Sequence, residues 1–175
     1  GAADGRLGDG GGLRTQYQHV TDLLPTLAEL TGIDIVRERH GVPSPPLVGA
    51  SFAPSLTEAA ASSSHGDQYY EMIGHRGFYR DGWSAVTCHQ PQTAFSEEAW
   101  ELHHLAEDPT ETRDLAADNP DKLAELQAAW ETAAWENQVF PLDEGNFVKS
   151  IARPPWNADL EEAVTILPGT PTLER

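Results

Sequence analysis

The spacing of apolar positions changes character along this chain. Between residues 17 and 32, Val20, Leu23, Leu24, Leu27 and Leu30 fall at near-helical spacing, which predicts a short helix with one buried face. Thr21 or Asp22 is placed to cap it, because a short side-chain oxygen accepts an orphan first-turn amide hydrogen. Pro25 falls in the first turn, where a missing N–H is tolerated, and Gly32 suits a left-handed stop. Residues 33–50 read as loop, since VPSPPLVG carries three prolines in eight residues and stays extended. SFAPSL begins another helical turn, and TEAAASSSHGD (57–67) is small, polar and exposed.

From residue 68 the period falls to two. QYYEMIGH, RGFYRDG, WSAVTCHQ and WELHHLAE are aromatic or β-branched runs punctuated by GH and RDG turns, the signature of antiparallel hairpins. Trp83, Ala85, Thr87 and His89 alternate with Ser84, Val86 and Cys88. The pattern predicts three or four strands, with 91–99 as a longer loop before the last. Asn119 followed by Pro120 then marks a helix start. Leu123, Leu126, Trp130, Ala133 and Ala134 make its apolar stripe. The expected fold is α+β: a small antiparallel sheet of three or four strands packed on a C-terminal helix. AVTILPGT near the end reads as one more strand with little to pair with.

Composition adds limits. Hydrophobic residues are 39% of 175, low for a compact domain, so some segments are expected to lie against another surface. The net charge of −17 disfavours nucleic acid and anionic lipid as partners. The single cysteine, Cys88, excludes an internal disulfide. No apolar run approaches the ~18 residues of a membrane span. The chain opens on GAADGRLGDGGGL without Met or a signal-like segment, which reads as a cut within a longer protein. The expected setting is a bacterial-type soluble protein, cytoplasmic or periplasmic.

Candidate chemistry is sparse. The seven histidines show no zinc spacing. His103 and His104 are neighbours on a strand and face opposite sides, one packing beside the helix and the other meeting solvent. Cys88 beside His89 suggests nucleophile and base, yet strand neighbours point apart, so Cys88 reads as a small buried core residue. Glu97/Glu98 and Glu161/Glu162 lie in polar stretches and read as solvated surface. There is no phosphate loop and no Gly-x-Ser-x-Gly elbow. Catalytic and metal residues are therefore expected to be absent from this chain.

The order of motifs carries more. QHVTDLLPTLAELTGI, GASFAPSL, QYYEMIGHRGFYRDGWSAVT and WELHHLAEDPTETRDLAADNPDKLAELQAAWETAA together resemble the C-terminal part of a type I sulfatase (arylsulfatase), of the alkaline-phosphatase-like superfamily. YRDGWSAV resembles a Gly-Trp-Lys strand with Ser84 in place of Lys. WELHHLAEDPTETRDLA resembles a Trp-Glu-Leu-Tyr-x-Leu strand and its Asp-Pro-x-Glu loop, with His103 in place of Tyr. The resemblance covers about residues 14–143. VTILPGTPTLE resembles the lead-in to a further β-sandwich of a long arylsulfatase subgroup.

It implies this division: 1–32 ends a large catalytic domain, 33–66 connects, 67–137 is the C-terminal sulfatase subdomain, and 138–175 is an extended tail leading to a missing module. It implies a whole enzyme hydrolysing small-molecule sulfate esters, with formylglycine and calcium or another divalent cation held upstream. The partner it implies for this chain is the N-terminal catalytic domain of the same protein. CHQPQ is no formylglycine site, because Gln90 and Gln92 stand where Pro and Arg are needed. In some sulfatases the loop before the last strand leans toward the substrate mouth and carries a histidine. That position makes His89 the candidate substrate-binding residue, with Gly74–Arg76 second. Relatives that cleave phosphonates or phosphodiesters are the alternative, as is a free-standing acidic α+β interaction module using Trp83, Trp100, Trp130 and Trp135.

Overall fold

The computed structural model describes residues 12–142 and residue 144. The strand expected at AVTILPGT, the sandwich lead-in and Glu161/Glu162 lie outside them. The chain forms two compact units that part between Gln68 and Tyr69.

The first unit begins with a 3-10 turn, Val20–Asp22, that runs directly into helix α1, Leu23–Thr31. Asp22 makes no side-chain cap bond into α1, and the Thr21 hydroxyl lies against the His19 ring at 2.9 Å. His19 is the cap: its ring accepts from Thr21 N–H while the Asp22 carboxylate accepts from His19 N–H at 2.7 Å. Gly32 ends the helix at φ 69°, where the missing Cβ removes the left-handed penalty. Ile33 N–H then reaches back to Ala28 O at 3.1 Å.

Within 33–50, expected as loop throughout, a small hairpin forms: β1, Glu38–Arg39, pairs antiparallel with β2, Val42–Pro43. His40 and Gly41 both adopt positive φ at the turn, as a tight hairpin of this hand requires. Helix α2, Ala53–Thr57, occupies the SFAPSL stretch.

The expected buried leucine face of α1 needs correction. Val20 is 69% exposed and Leu23, Leu24, Leu27 and Leu30 between 48% and 57%, whereas Asp22 and Thr26 are 1% and 2% exposed. The helix turns its polar edge inward, because those two side chains hold the backbone of the following segment. Ala50 N–H donates to Asp22 Oδ1 at 2.9 Å and Phe52 N–H to Thr26 Oγ1 at 3.0 Å. Gly49 lies so close that a Cβ there would sit 2.1 Å from Thr21 O.

In the second part of the chain, β3 (Asp67–Met72), β4 (His75–Arg80), β5 (Trp83–Thr87) and β6 (Glu101–His104) form a four-stranded sheet in sequential order. The β4–β5 and β5–β6 pairs are antiparallel. Helix α3, Pro120–Glu136, follows. The fold class is α+β, as the periodicity predicts.

Phe78 faces Ala85, and Ala85 faces Leu102, across the ladders. These three join Leu126, Trp130, Ala134 and Leu142 in one buried cluster. Trp130 sits inside this core rather than on a docking surface, its indole N–H donating to Tyr70 O at 2.9 Å. Asn119 sets the start of α3 without a side-chain cap; its amide nitrogen turns back to Leu115 O at 3.3 Å.

Candidate functional site

The stretch after β6 is acidic, and the backbone uses its acids. Asp108 accepts from Thr112 N–H at 2.7 Å and Arg113 N–H at 2.8 Å, with the Thr110 and Thr112 hydroxyls at 3.1 Å. The Arg113 amide leads the effects that hold the Asp108 carboxyl below the usual carboxylate range. Asp114 accepts from Leu102 N–H at 3.0 Å and Ala116 N–H at 2.9 Å, which lower its pKa in the same way. Glu111 accepts from the Ser84 hydroxyl at 2.7 Å. These acids tie the 108–116 loop to the sheet edge.

His103 and His104 take opposite faces, as strand alternation requires. The buried one, His103, lies under the loop rather than beside the helix. Its Nδ1–H donates to Arg113 O at 2.9 Å. His104 is half-buried and packs against the Trp83 ring at 4.5 Å. Among the described residues, no three His, Cys, Asp or Glu side chains converge to hold a metal ion. Asp108 and Asp114 are committed to backbone amides and His103 Nδ1 to a carbonyl, while Glu101 and Glu107 lie exposed beside the His103 and His104 rings.

Cys88 is exposed, correcting its expected burial. Thr87 and His89 on either side point inward, and alternation turns Cys88 out. The thiol is thereby separated from His89.

His89 and Gly74–Arg76, two separate candidates in the sequence, meet in one cluster, and Glu98 joins them. His89 is 3% exposed. Its Nδ1–H donates to one Glu98 oxygen, while Arg76 Nη2–H donates to the other at 2.5 Å. His89 Nε2 lies 3.4 Å from Glu144 O. His89 N–H donates to His75 Nδ1 at 3.0 Å, which places the His75 proton on Nε2. The Glu98 side chain is only 5% exposed, so its expected role as solvated surface is wrong. Sequence spacing hid this, because its partners lie 9 and 22 positions away. The Arg76 guanidinium lies 4.9–5.4 Å from the Phe95, Trp100 and Trp130 rings, a setting that favours a cation.

Unit one has a second buried pair that sequence reading missed. His65 Nδ1–H donates to Asp22 Oδ1 at 2.6 Å, and His65 Nε2 lies 3.1 Å from Gln68 Oε1. Burial works against the Asp22 charge. The bonds from His19, His65 and Ala50, with the charge of His65, outweigh it and hold the carboxyl below its ordinary value. Asp22 read only as a cap candidate, and His65 lay in a stretch taken as exposed.

No protein-family model matches the sequence. Among solved structures, the chain is similar to Ps i-CgsB, also determined with k-i-k-neocarrahexaose, at 20% identity and a TM-score of 0.49, over 74% of this chain and 27% of that one. It is similar to BT4656, solved with its substrate D-glucosamine-2-N,6-O-disulfate, at 17% identity and 0.46, over 71% and 25%. A third similarity, at 15% identity and 0.43 over 64% and 24%, is to a protein labelled BT33336S-sulf from a study of glycosaminoglycan metabolism by Bacteroides thetaiotaomicron. The chain spans about a quarter of the length of these proteins.

Proposed function

We propose that this chain is the C-terminal sheet-and-helix portion of a sulfatase-type hydrolase acting on organic sulfate esters. The observation that carries the reading is the order of motifs. The Gly-Trp strand, the Trp-Glu-Leu strand, the Asp-Pro-x-Glu loop and the amphipathic helix occur in sulfatase order, and each falls on its own element: β5, β6, the 108–116 loop and α3. Formylglycine, the divalent cation and the groups that stabilise charge on the sulfate would be supplied by the large domain of the same protein. That large domain is the partner of this chain, and covers the exposed leucines of α1. This portion supports the fold and is inactive alone.

His89 enters as the residue at the root of the 90–99 loop. Its ring is turned inward on Glu98, so direct contact with a sulfate ester requires that loop to move.

The test is hydrolysis of aryl sulfate and of D-glucosamine-2-N,6-O-disulfate by the whole polypeptide, with aryl phosphonate and phosphodiester assayed in parallel. Sulfate release by the whole polypeptide and none by the 175-residue chain supports the proposal. Turnover of the phosphorus esters alone moves the assignment to the phosphonate and phosphodiester hydrolases. Sulfate release by the 175-residue chain itself contradicts the division of labour.

A further inference from the structure

The 90–99 loop has few bonds of its own. Thr93, Glu97 and Glu98 amides donate to the Gln90, Ala94 and Phe95 carbonyls, each three residues back, and the Thr93 hydroxyl also turns to Gln90 O. Such bonds shape a loop without fixing it to the body. Across to the body, the Thr87 hydroxyl donates to Ala99 O at 2.8 Å, and the buried charged contacts converge on one side chain. Glu98 points inward and takes Arg76 on one oxygen and His89 on the other.

Arg76 is itself held among three aromatic rings, one of them Trp130 of the core, with its side chain 10% exposed. Its Nε is buried with no hydrogen-bond partner among the described residues, so the ionic bond to Glu98 is the main polar compensation for a buried guanidinium. On the far side, His89 packs on Gly74. The glycine has φ +89°, and a Cβ there would lie 2.7 Å from the His89 ring. Glu144 closes the outer side, its carbonyl taking Gln92 N–H at 2.8 Å and its carboxylate Phe95 N–H at 3.1 Å.

We propose that Arg76, Glu98 and His89 form a latch that clamps the 90–99 loop onto the turn at Gly74, and that the loop releases as one unit when either charge of the Arg76–Glu98 pair is lost. The latch is a property of the chain itself and does not rest on the enzymatic reading. A loop whose buried charged tie to the body is this one pair, with single hydrogen bonds from Thr87 and Glu144 beside it, has two states, clamped and released, and the charge pair weights their ratio.

Amide hydrogen exchange on the 175-residue chain tests it. In E98Q, and separately in R76M, the amides of Gln92, Phe95, Glu97 and Glu98 exchange about a hundredfold faster or more, while those of β5 and α3 stay within about threefold of wild type. The double variant E98Q/R76M exchanges no faster in the loop than either single one, because each substitution already opens the latch. R76K, which keeps the charge but loses the planar fork, gives a smaller acceleration confined to the same loop. Unchanged loop exchange in the single variants, multiplying effects in the double variant, or acceleration of β5 and α3 together with the loop would each overturn the proposal.

Discussion

The two units solve opposite problems. In the second, apolar side chains are inside: Leu102, Leu126 and Ala134 are fully buried between sheet and helix, and loop acids serve the backbone at the rim. In the first, the buried side chains are mainly polar, Asp22, Thr26, Ser55 and His65, while the leucines of α1 face outward. The hydrophobic effect stabilises the second unit directly. The first is held by hydrogen bonds and one buried acid–histidine pair, which return much less net free energy each. Under the proposed function, the large domain covers this apolar side.

That contrast gives a graded set of expectations. Leu126→Ala leaves a cavity in the fully buried core and lowers the stability of the second unit by about 2–5 kcal/mol, read from a denaturant melt followed by tryptophan fluorescence. Gly49→Ala forces a Cβ into Thr21 O. It costs about 3 kcal/mol in the first unit, visible as faster exchange of the Ala50 and Phe52 amides with the second unit unchanged.

Asp22→Asn removes the charged acceptor of His65 and costs about 2 kcal/mol, again local to the first unit. Its pH dependence has a definite sign. The folded Asp22 pKa is lowered, so the stabilisation is present above the usual aspartate value of about 4 and is lost as pH falls through the lower folded value. Protection at Ala50 should therefore decay below about pH 4 in wild type, and the Asp22→Asn variant should lack that acid transition. An identical acid transition in the two proteins would remove Asp22 from the account. Smallest of all, Leu27→Gln changes the stability of the 175-residue chain by less than about 0.5 kcal/mol, because Leu27 is 57% exposed. A loss of the size seen for Leu126→Ala would mean that α1 buries its leucines within this chain.

The sheet and α3 were legible because each repeats one simple period. Strand runs ended at GH and RDG, and the α3 stripe of Leu126, Trp130 and Ala134 is the stripe found buried. The α1 stripe has an equally clear period, but amphipathicity says only that a face needs covering, not that the same chain covers it. Glu98 was illegible for another reason. Ser96 and Glu97 beside it are polar, and although Phe95 and Trp100 are near in sequence, the Arg76 cation, the His89 ring and Trp130 arrive from strands and a helix farther along the chain. His65 and Asp22 are 43 positions apart, beyond any spacing rule. The His40–Gly41 hairpin was hidden by the prolines around it. Cys88 was misjudged because a small apolar side chain on a strand takes whichever face the alternation assigns.

The proposed function makes the leucines of α1 an inner surface of a larger enzyme. Leu27→Cys in a Cys88→Ser background, labelled with a maleimide and read by peptide mass spectrometry, tests this in the 175-residue chain and in the whole polypeptide. The account predicts rapid labelling of residue 27 in the chain alone and labelling slowed by about a hundredfold or more in the whole protein. Equal labelling rates in the two would contradict it.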